Sequence, residues 1–578
     1  MSTPYSSGTA TSEERLCDFY IGTQRQLRLP SLGWLLMPTT LMTPDEVRKA
    51  IRQRTIERIS IMRSRPKITL YDKNWRNPVP IMGEVTASFE EKLNDTGEGD
   101  LTLFGNHKVR EWIIEELGDD EDLHIRVQMA GKEWTGKAVS ITNRGDDKGF
   151  EYIDIKFQHE YQHCKRITCY SNPLLPAELQ APKIWAYAGP SIFGIKTLIF
   201  LNLLRRFGPL WGLPENLFDP SSWASNLNPA NWPIVVIPGD FFGDTSMWQV
   251  ITTRFGNLHD VIAPVLADAG LQVVVKRWFP GMPQPAPNHF ILTEPTLTID
   301  VVDKSGYRGK NGNIFDGLLH LVTDIADDLI NEVVTEVTGA PNPPENSVPG
   351  FLGTPPGRPF VTWRNAQRTG VSGIGQWQAT VHKALAGAIV TGGHSPDWVN
   401  AGLKLIANAI LGYIGAMFGN AGLALGIFDS VIEDVVLAFH RMANPMRQNR
   451  MGIRGPGYGE WWEASGGTGA SLSALMAIRA GFDKTKAYRS YKVSVVNFAP
   501  WRVGEHFDLG DRTAVEIGKR GTYYIDHVYG LKLSWSRDQD PRYDIAIGDD
   551  RKEQTPGAML SRQVEGLKAM LQAVGVSS

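Results

Sequence analysis

The sequence predicts an α+β multidomain protein in which two small antiparallel β-barrel or β-sandwich domains flank a mixed α/β and helical insertion. Three observations predict it. The chain has 578 residues, well beyond the roughly 250–300 at which a single hydrophobic core stops growing. Alternation of apolar and polar residues with a period of two runs through 68–165 and returns in 490–550, the pattern of half-buried antiparallel strands. Between these blocks lie helical periodicities, tryptophan-bearing turns and one stretch crowded with proline and glycine.

Composition narrows the function classes. Lys plus Arg number 59 against 62 Asp plus Glu, a formal net charge of -3. A chain so balanced does not coat duplex nucleic acid by neutralising phosphates, so any such contact is local. The apolar share of 42% and charged share of 21% are those of a folded chain. Cys17, Cys164 and Cys169 are too few for a disulfide framework. The Ser/Thr-rich start, Met1 to Glu13, lacks the basic and apolar regions of a signal peptide, so the expected site of synthesis and folding is the cytoplasm.

Taken in order, residues 1–66 form an arm. Thr43-Pro44-Asp45-Glu46 is a capping box with proline at the first helical position, and the helix behind it is basic. Residues 67–184 form the first β domain, with strands expected at Lys67–Tyr71, Gly83–Phe89, Leu123–Val127 and Tyr152–Phe157 and a short helix at His107–Leu117. Residues 185–338 read as mixed α/β: a helix at Ile192–Phe207, another at Leu258–Ala269, strands at Leu271–Trp278 and Thr296–Asp303, then an amphipathic helix from Ile314 to Val333. Trp211, Trp223, Trp232 and Trp248 are expected to pin loops onto the core.

The next segment, 339–394, reads as linker and loops, because Gly339 to Pro359 holds seven prolines and four glycines. Residues 395–470 centre on Ile406 to Phe428, 23 residues without a charge. Gly415, Gly419, Gly422 and Gly426 suit a helical hairpin whose arms approach closely. Its expected place is an oligomer's centre, with contact to a host membrane as the alternative fate. Residues 471–555 form the second β domain, with strands at Tyr491–Val496, Thr513–Ile517, Tyr523–Val528 and Leu531–Trp535. Asp508-Leu509-Gly510-Asp511 is expected to be a tight turn with Gly510 at positive φ. In the C-terminal helix, 556–578, Leu560, Val564, Leu567, Leu571 and Val574 fall on an a/d seam that supports assembly.

One constellation has an enzymatic form. His159-Glu160-Tyr161-Gln162-His163 matches H-E-x-x-H, which on a helix holds zinc through two imidazoles. It follows a strand and no third ligand is evident downstream, so a polar strand-to-helix corner is the competing reading. Neither Gly306–Lys310 nor Ser465–Gly469 is a P-loop. No catalytic, cofactor-binding or metal residue is assigned.

The runs His159–His163, Ser171-Asn172-Pro173-Leu174-Leu175-Pro176-Ala177-Glu178-Leu179-Gln180-Ala181-Pro182-Lys183, Asp300–Gly306, Val390–Ser395 and His506-Phe507-Asp508-Leu509-Gly510-Asp511-Arg512 resemble minor tail proteins of actinobacterial siphophages, the tail-tip hub or tail-associated proteins. The resemblance covers most of the chain. It implies a structural virion component, not an enzyme: a homotrimeric hub at the distal tail tip whose two β domains per subunit build a pseudo-sixfold ring. It also implies a part in host attachment, envelope penetration and DNA delivery. The implied partners are the distal tail protein, the tape measure protein, other minor tail proteins, passing phage DNA and, through 406–428, the host membrane. It carries over no cofactor and no metal. The rival class is a zinc-dependent cell-envelope hydrolase using His159, Glu160 and His163; a third is a membrane-active protein that works alone.

Overall fold

In Lys67–Tyr71 every second side chain turns inward, and Ile68 and Leu70 are wholly enclosed. The same rule builds the strands that follow, since successive side chains of a pleated strand point to opposite faces. The computed structural model describes residues 43–208, 227–320, 359–365, 373–392, 441–452, 459–464, 481–496, 501–517 and 523–548, apart from single or paired positions within those ranges. It divides into two units, Met1–Arg65 and Pro66–Ser578.

In the first unit, α1 (Pro44–Arg63) opens on the predicted capping box. The Thr43 hydroxyl accepts from the Glu46 amide at 3.3 Å, and the Glu46 carboxylate accepts from the Thr43 amide at 2.7 Å, satisfying two donors that a helix start leaves free.

The second unit begins with β1 (Lys67–Tyr71), β2 (Val79–Ile81), β3 (Thr86–Lys92), β4 (Glu98–Phe104), β5 (His124–Met129), β6 (Lys132–Gly145) and β7 (Glu151–His159). A single π-helical turn, Glu111–Glu116, stands where the short helix was expected. A 3₁₀ helix, Glu160–Arg166, leads into β8 (Thr168–Cys169) and β9 (Trp185–Pro190). The mixed segment then has α2 (Ser191–Phe207), β10 (Ile234–Val236), β11 (Trp248–Thr253), β12 (Gly256–Asn257), α3 (Leu258–Asp268), β13 (Leu271–Trp278) and β14 (Thr296–Asp303). Farther on come β15 (Thr362–Trp363), β16 (Ile374–His382), β17 (Ala388–Gly392), β18 (Arg441–Ala443), α4 (Pro445–Met451), β19 (Glu460–Ala464), β20 (Tyr488–Val496), β21 (Arg512–Glu516), β22 (Tyr523–Ser536) and β23 (Gln539–Ile547).

The two expected β domains are one sheet. Its order is β16-β20-β23-β22-β3-β4-β7-β6-β5-β1-β2, with β21 on β22 and β15 on β21. The halves join where β22 lies antiparallel to β3, Gly530 opposite Lys92 and Ser536 opposite Thr86. Phe89 packs between the halves, its ring 4.9 Å from Trp134 and 5.7 Å from Trp535, while the Trp535 indole donates to Glu84 at 2.7 Å. Among the described pairings the sheet does not close into a barrel. The architecture is thus mostly β-sheet with a few helices.

Three boundaries differ from the expectation. Tyr523–Val528 and Leu531–Trp535 are one strand, β22, because the Tyr529-Gly530 interruption is absorbed as a bulge between Val528 and Gly530. Strands β15, β16 and β17 fall inside 339–394, which had been read as linker and loops. Strand β16 gave no alternation to read because most of its side chains are exposed. Strands β18 and β19 and helix α4 occupy the later part of 395–470, read as a helical hairpin; β18 and β19 flank β17 in a separate three-stranded sheet. Residues 321–358, 406–428 and 556–578 lie outside the described residues, so the linker, hairpin and seam expected there are not part of this description.

The mixed segment has its own core. Ile195, Leu198, Ile199 and Leu203 of α2 and Ile262 and Leu266 of α3 pack on a sheet of order β10-β14-β13. Trp232 belongs to that core, and the Trp248 indole donates to the Ile314 carbonyl at 2.9 Å, as loop-pinning tryptophans should; Trp211 and Trp223 lie outside the described residues. Tyr161, Cys164, Ile167 and Cys169 join the same core, so the chain crosses from the sheet into the mixed segment at the H-E-x-x-H run. Both thiols are free, and burial pushes each up to about 12. Among the described residues no helix is long and apolar enough to cross a membrane.

Candidate functional site: the seam between sheet and mixed segment

The H-E-x-x-H residues fold as the strand-to-helix corner. His159 ends β7 and caps the 3₁₀ helix, its Nδ1 accepting from the Tyr161 amide at 3.3 Å. His163 lies within that helix, so the two imidazoles do not share one α-helical face. Glu160, wholly buried, accepts from Arg277 Nη2 on β13 through both carboxylate oxygens, at 2.9 and 2.8 Å. His163 Nε2 lies 3.2 Å from the same carboxylate. Burial by itself would raise the Glu160 carboxyl, but Arg277 and His163 outweigh it and hold the group at about 2. Glu160 is therefore an ionised anchor for β13. Among the described residues no group of three or more His, Cys, Asp or Glu side chains is placed to hold a metal.

The Arg277 guanidinium lies 4.5 Å over the Trp75 ring, a cation–π contact, and His124 stacks on the same indole at 4.5 Å. Burial pushes the His124 imidazole down to about 4. Trp75 reaches this position through a backbone φ of 58°, a conformation bulky residues rarely adopt. The Asp72 carboxylate holds the loop in it by accepting from the Asn74 and Arg76 amides at 3.0 and 2.8 Å.

The β3–β4 turn makes a second link. The Asn94 amide acts as a strand edge would, donating to the Leu271 carbonyl at 2.8 Å and accepting from the Val273 amide at 2.9 Å. Asn94 has a φ of 51°, which asparagine tolerates better than most residues. Gly97 closes the turn because a Cβ there would lie 1.8 Å from the Glu90 carbonyl oxygen. Asp95 pairs with Lys165 of the 3₁₀ helix.

The third link is the Asp508–Asp511 turn, closed as expected by an Asp511 amide to Asp508 carbonyl bond of 3.2 Å, with Gly510 at φ 78°. Asp508 meets Lys132 of β6 at 2.6 Å, and Lys132 meets Glu91 of β3 at 2.8 Å. Burial opposes the Lys132 charge, but Glu91 and Asp508 outweigh it and hold the ammonium above the ordinary lysine range. Asp511 meets Lys304, just past β14, at 2.5 Å. One turn thereby ties both halves of the sheet to the mixed segment.

Of the runs singled out in the sequence, His159–His163 and His506–Arg512 meet at this seam. Ser171–Lys183 instead forms a loop stapled by Gln180, whose Oε1 accepts from the Ser171 hydroxyl and Asn172 amide at 2.9 and 2.7 Å. Asp300, on β14, pairs with Lys196 of α2 at 2.7 Å. Residues 393–395 lie outside the described residues. Asn94, Lys132 and Arg277 were not singled out in the sequence, and Lys304 fell only within the Asp300–Gly306 run.

This arrangement holds segments in a fixed mutual orientation and presents no assembled catalytic constellation among the described residues. The Siphovirus ReqiPepy6 Gp37-like protein family model matches residues 67–549. Minor tail protein Gp28 of Mycobacterium phage L5 is 25% identical over 596 residues, covering 93% of this chain and 99% of that protein. Minor tail protein Gp28 of Mycobacterium phage D29 is 24% identical over 600 residues, with the same coverage. Among solved structures, the tail protein from Neisseria meningitidis MC58 aligns at 9% identity and a TM-score of 0.36, over 85% of this chain and 99% of that one.

Proposed function

The chain belongs to the Siphovirus ReqiPepy6 Gp37-like protein family, and from that premise we propose that it is a structural component of a siphophage tail, built into the distal tip as a trimeric hub. Its relatives over 93% of the chain are minor tail proteins, which supports a role in the virion. The observation that carries the reading is the continuous sheet, in which strands from both ends of the chain meet at β22 and β3 and the mixed segment is fastened across them. A body with two β halves suits a threefold ring that meets a sixfold tube, since three subunits then offer six β surfaces.

In this reading the hub joins the tail tube, through the distal tail protein, to the tape measure protein and other tip proteins. It takes part in host attachment and leaves a path for DNA, while 406–428 lines or plugs the threefold axis before infection and meets the host membrane afterwards. Immunogold labelling of virions with antibodies against this chain tests the placement. Gold confined to the tail end opposite the capsid is the expected result; gold along the tube, or none on particles, overturns it.

A further inference from the structure

Two stretches of the sequence carry dense charge of nearly one sign. Residues 48–65, covering most of α1, hold seven Lys/Arg against one acidic residue. Arg48, Lys49 and Arg52 are exposed, and Lys49 and Arg52 have no partner among the described residues. The apolar residues of α1 are few and Ile56 and Ile59 are themselves exposed, so this helix offers a partner charge rather than a greasy stripe. Residues 111–122 carry seven Asp/Glu and no Lys or Arg. Three of these seven have partners: Glu115 with Arg110 at 2.7 Å, Glu121 with Lys73 at 2.7 Å and Asp122 with Lys137 at 2.5 Å. Glu111, Glu116, Asp119 and Asp120 are exposed and have none among the described residues.

We propose that α1 of one copy docks on the acidic lobe 111–122 of a second copy of this chain. The two stretches are opposite in sign, seven Lys/Arg in 48–65 against seven Asp/Glu in 111–122. Each isolated surface ion pair contributes little, but an array of this density steers encounter and penalises mismatched partners strongly. Arginine predominates among the cations, and its planar fork suits carboxylates as bidentate acceptors. Self-association through such an array weakens as salt rises, because exposed charges are screened within about 8 Å at physiological ionic strength.

The test uses the full chain in two charge-reversed forms: one with Arg48→Glu, Lys49→Glu and Arg52→Glu, the other with Glu116→Lys, Asp119→Lys and Asp120→Lys. Sedimentation velocity at low and high salt reads association. Each variant alone is expected to associate at least about tenfold more weakly than the natural chain at low salt. An equimolar mixture should recover association, since every reversed arm then finds a reversed lobe on another copy. A natural chain that stays monomeric at all salt concentrations overturns the proposal. So does a mixture no better than its components, the outcome of an arm that docks within its own chain. So does an arm that binds a short DNA duplex while its reversal leaves self-association unchanged. A chain that self-associates but ignores both reversals sinks this proposal alone, whereas a monomer at every salt concentration also counts against the trimeric hub; membership of the tail protein family stands in either case.

Discussion

At the scale of residues, the seam works through charges withdrawn from water. A buried carboxylate is tolerable only because Arg277 and His163 compensate it, and removing one partner of a buried pair costs about 3–5 kcal/mol. Arg277→Met should therefore destabilise the chain by that order in urea unfolding, and adding Glu160→Gln to it should recover a large part. A double variant as unstable as the single one would show that Arg277 acts through packing on Trp75 alone. Two titrations give the seam a pH dependence of one sign. The unfolded His124 imidazole takes up its proton near 6.5 and the folded one only near 4. In that window the unfolded state binds more protons, so stability is full above 6.5 and declines as pH falls toward 4. Glu160 adds a second decline, from 4.5 toward about 2. Melting temperature against pH should show the first decline, and His124→Gln should flatten it; an unchanged slope would assign the titration elsewhere.

At the scale of elements, turns do the joining. Gly510 at φ 78° would bring a Cβ to 2.9 Å from the Gln272 side chain, and β-branched residues resist that backbone region most. Gly510→Val is expected to lower stability by about 1–3 kcal/mol and to loosen Lys132 and Lys304 together, seen as faster hydrogen exchange on β6 and β14. Unchanged exchange on β14 would mean the turn serves β21 alone. This turn was legible because Asp and Gly carry local backbone chemistry, and the capping box of α1 was legible for the same reason. Helices α2 and α3 and strands β13 and β14 were equally readable from their periodicity, whereas β9 to β12 were not expected. What stayed hidden depends on partners distant in sequence. Nothing near Asn94 announces Val273, and nothing near Glu160 announces Arg277. Strand β16 was hidden for another cause, since both its faces are largely exposed and no alternation survives.

At the scale of the whole molecule, the two β regions read separately in the sequence share one sheet, because β22 pairs with β3. That pairing also fixes when the molecule can finish. Glu84 and Trp535, bonded across it, are 451 residues apart in sequence. At about 5–20 residues per second of synthesis, β3 emerges from the ribosome tens of seconds before its partner. Throughout that interval an unpaired strand edge is open to neighbouring chains. A chain stopped at residue 500 should therefore be recovered mainly in the insoluble fraction, and supplying 501–578 as a separate polypeptide during expression should raise its solubility. A truncated chain as soluble as the whole would mean that β3 is shielded meanwhile by other means. The late closure makes synthesis past β23 a checkpoint: a chain that stops short of it has no joined sheet to offer to assembly, so such copies are left out without any dedicated inspection step.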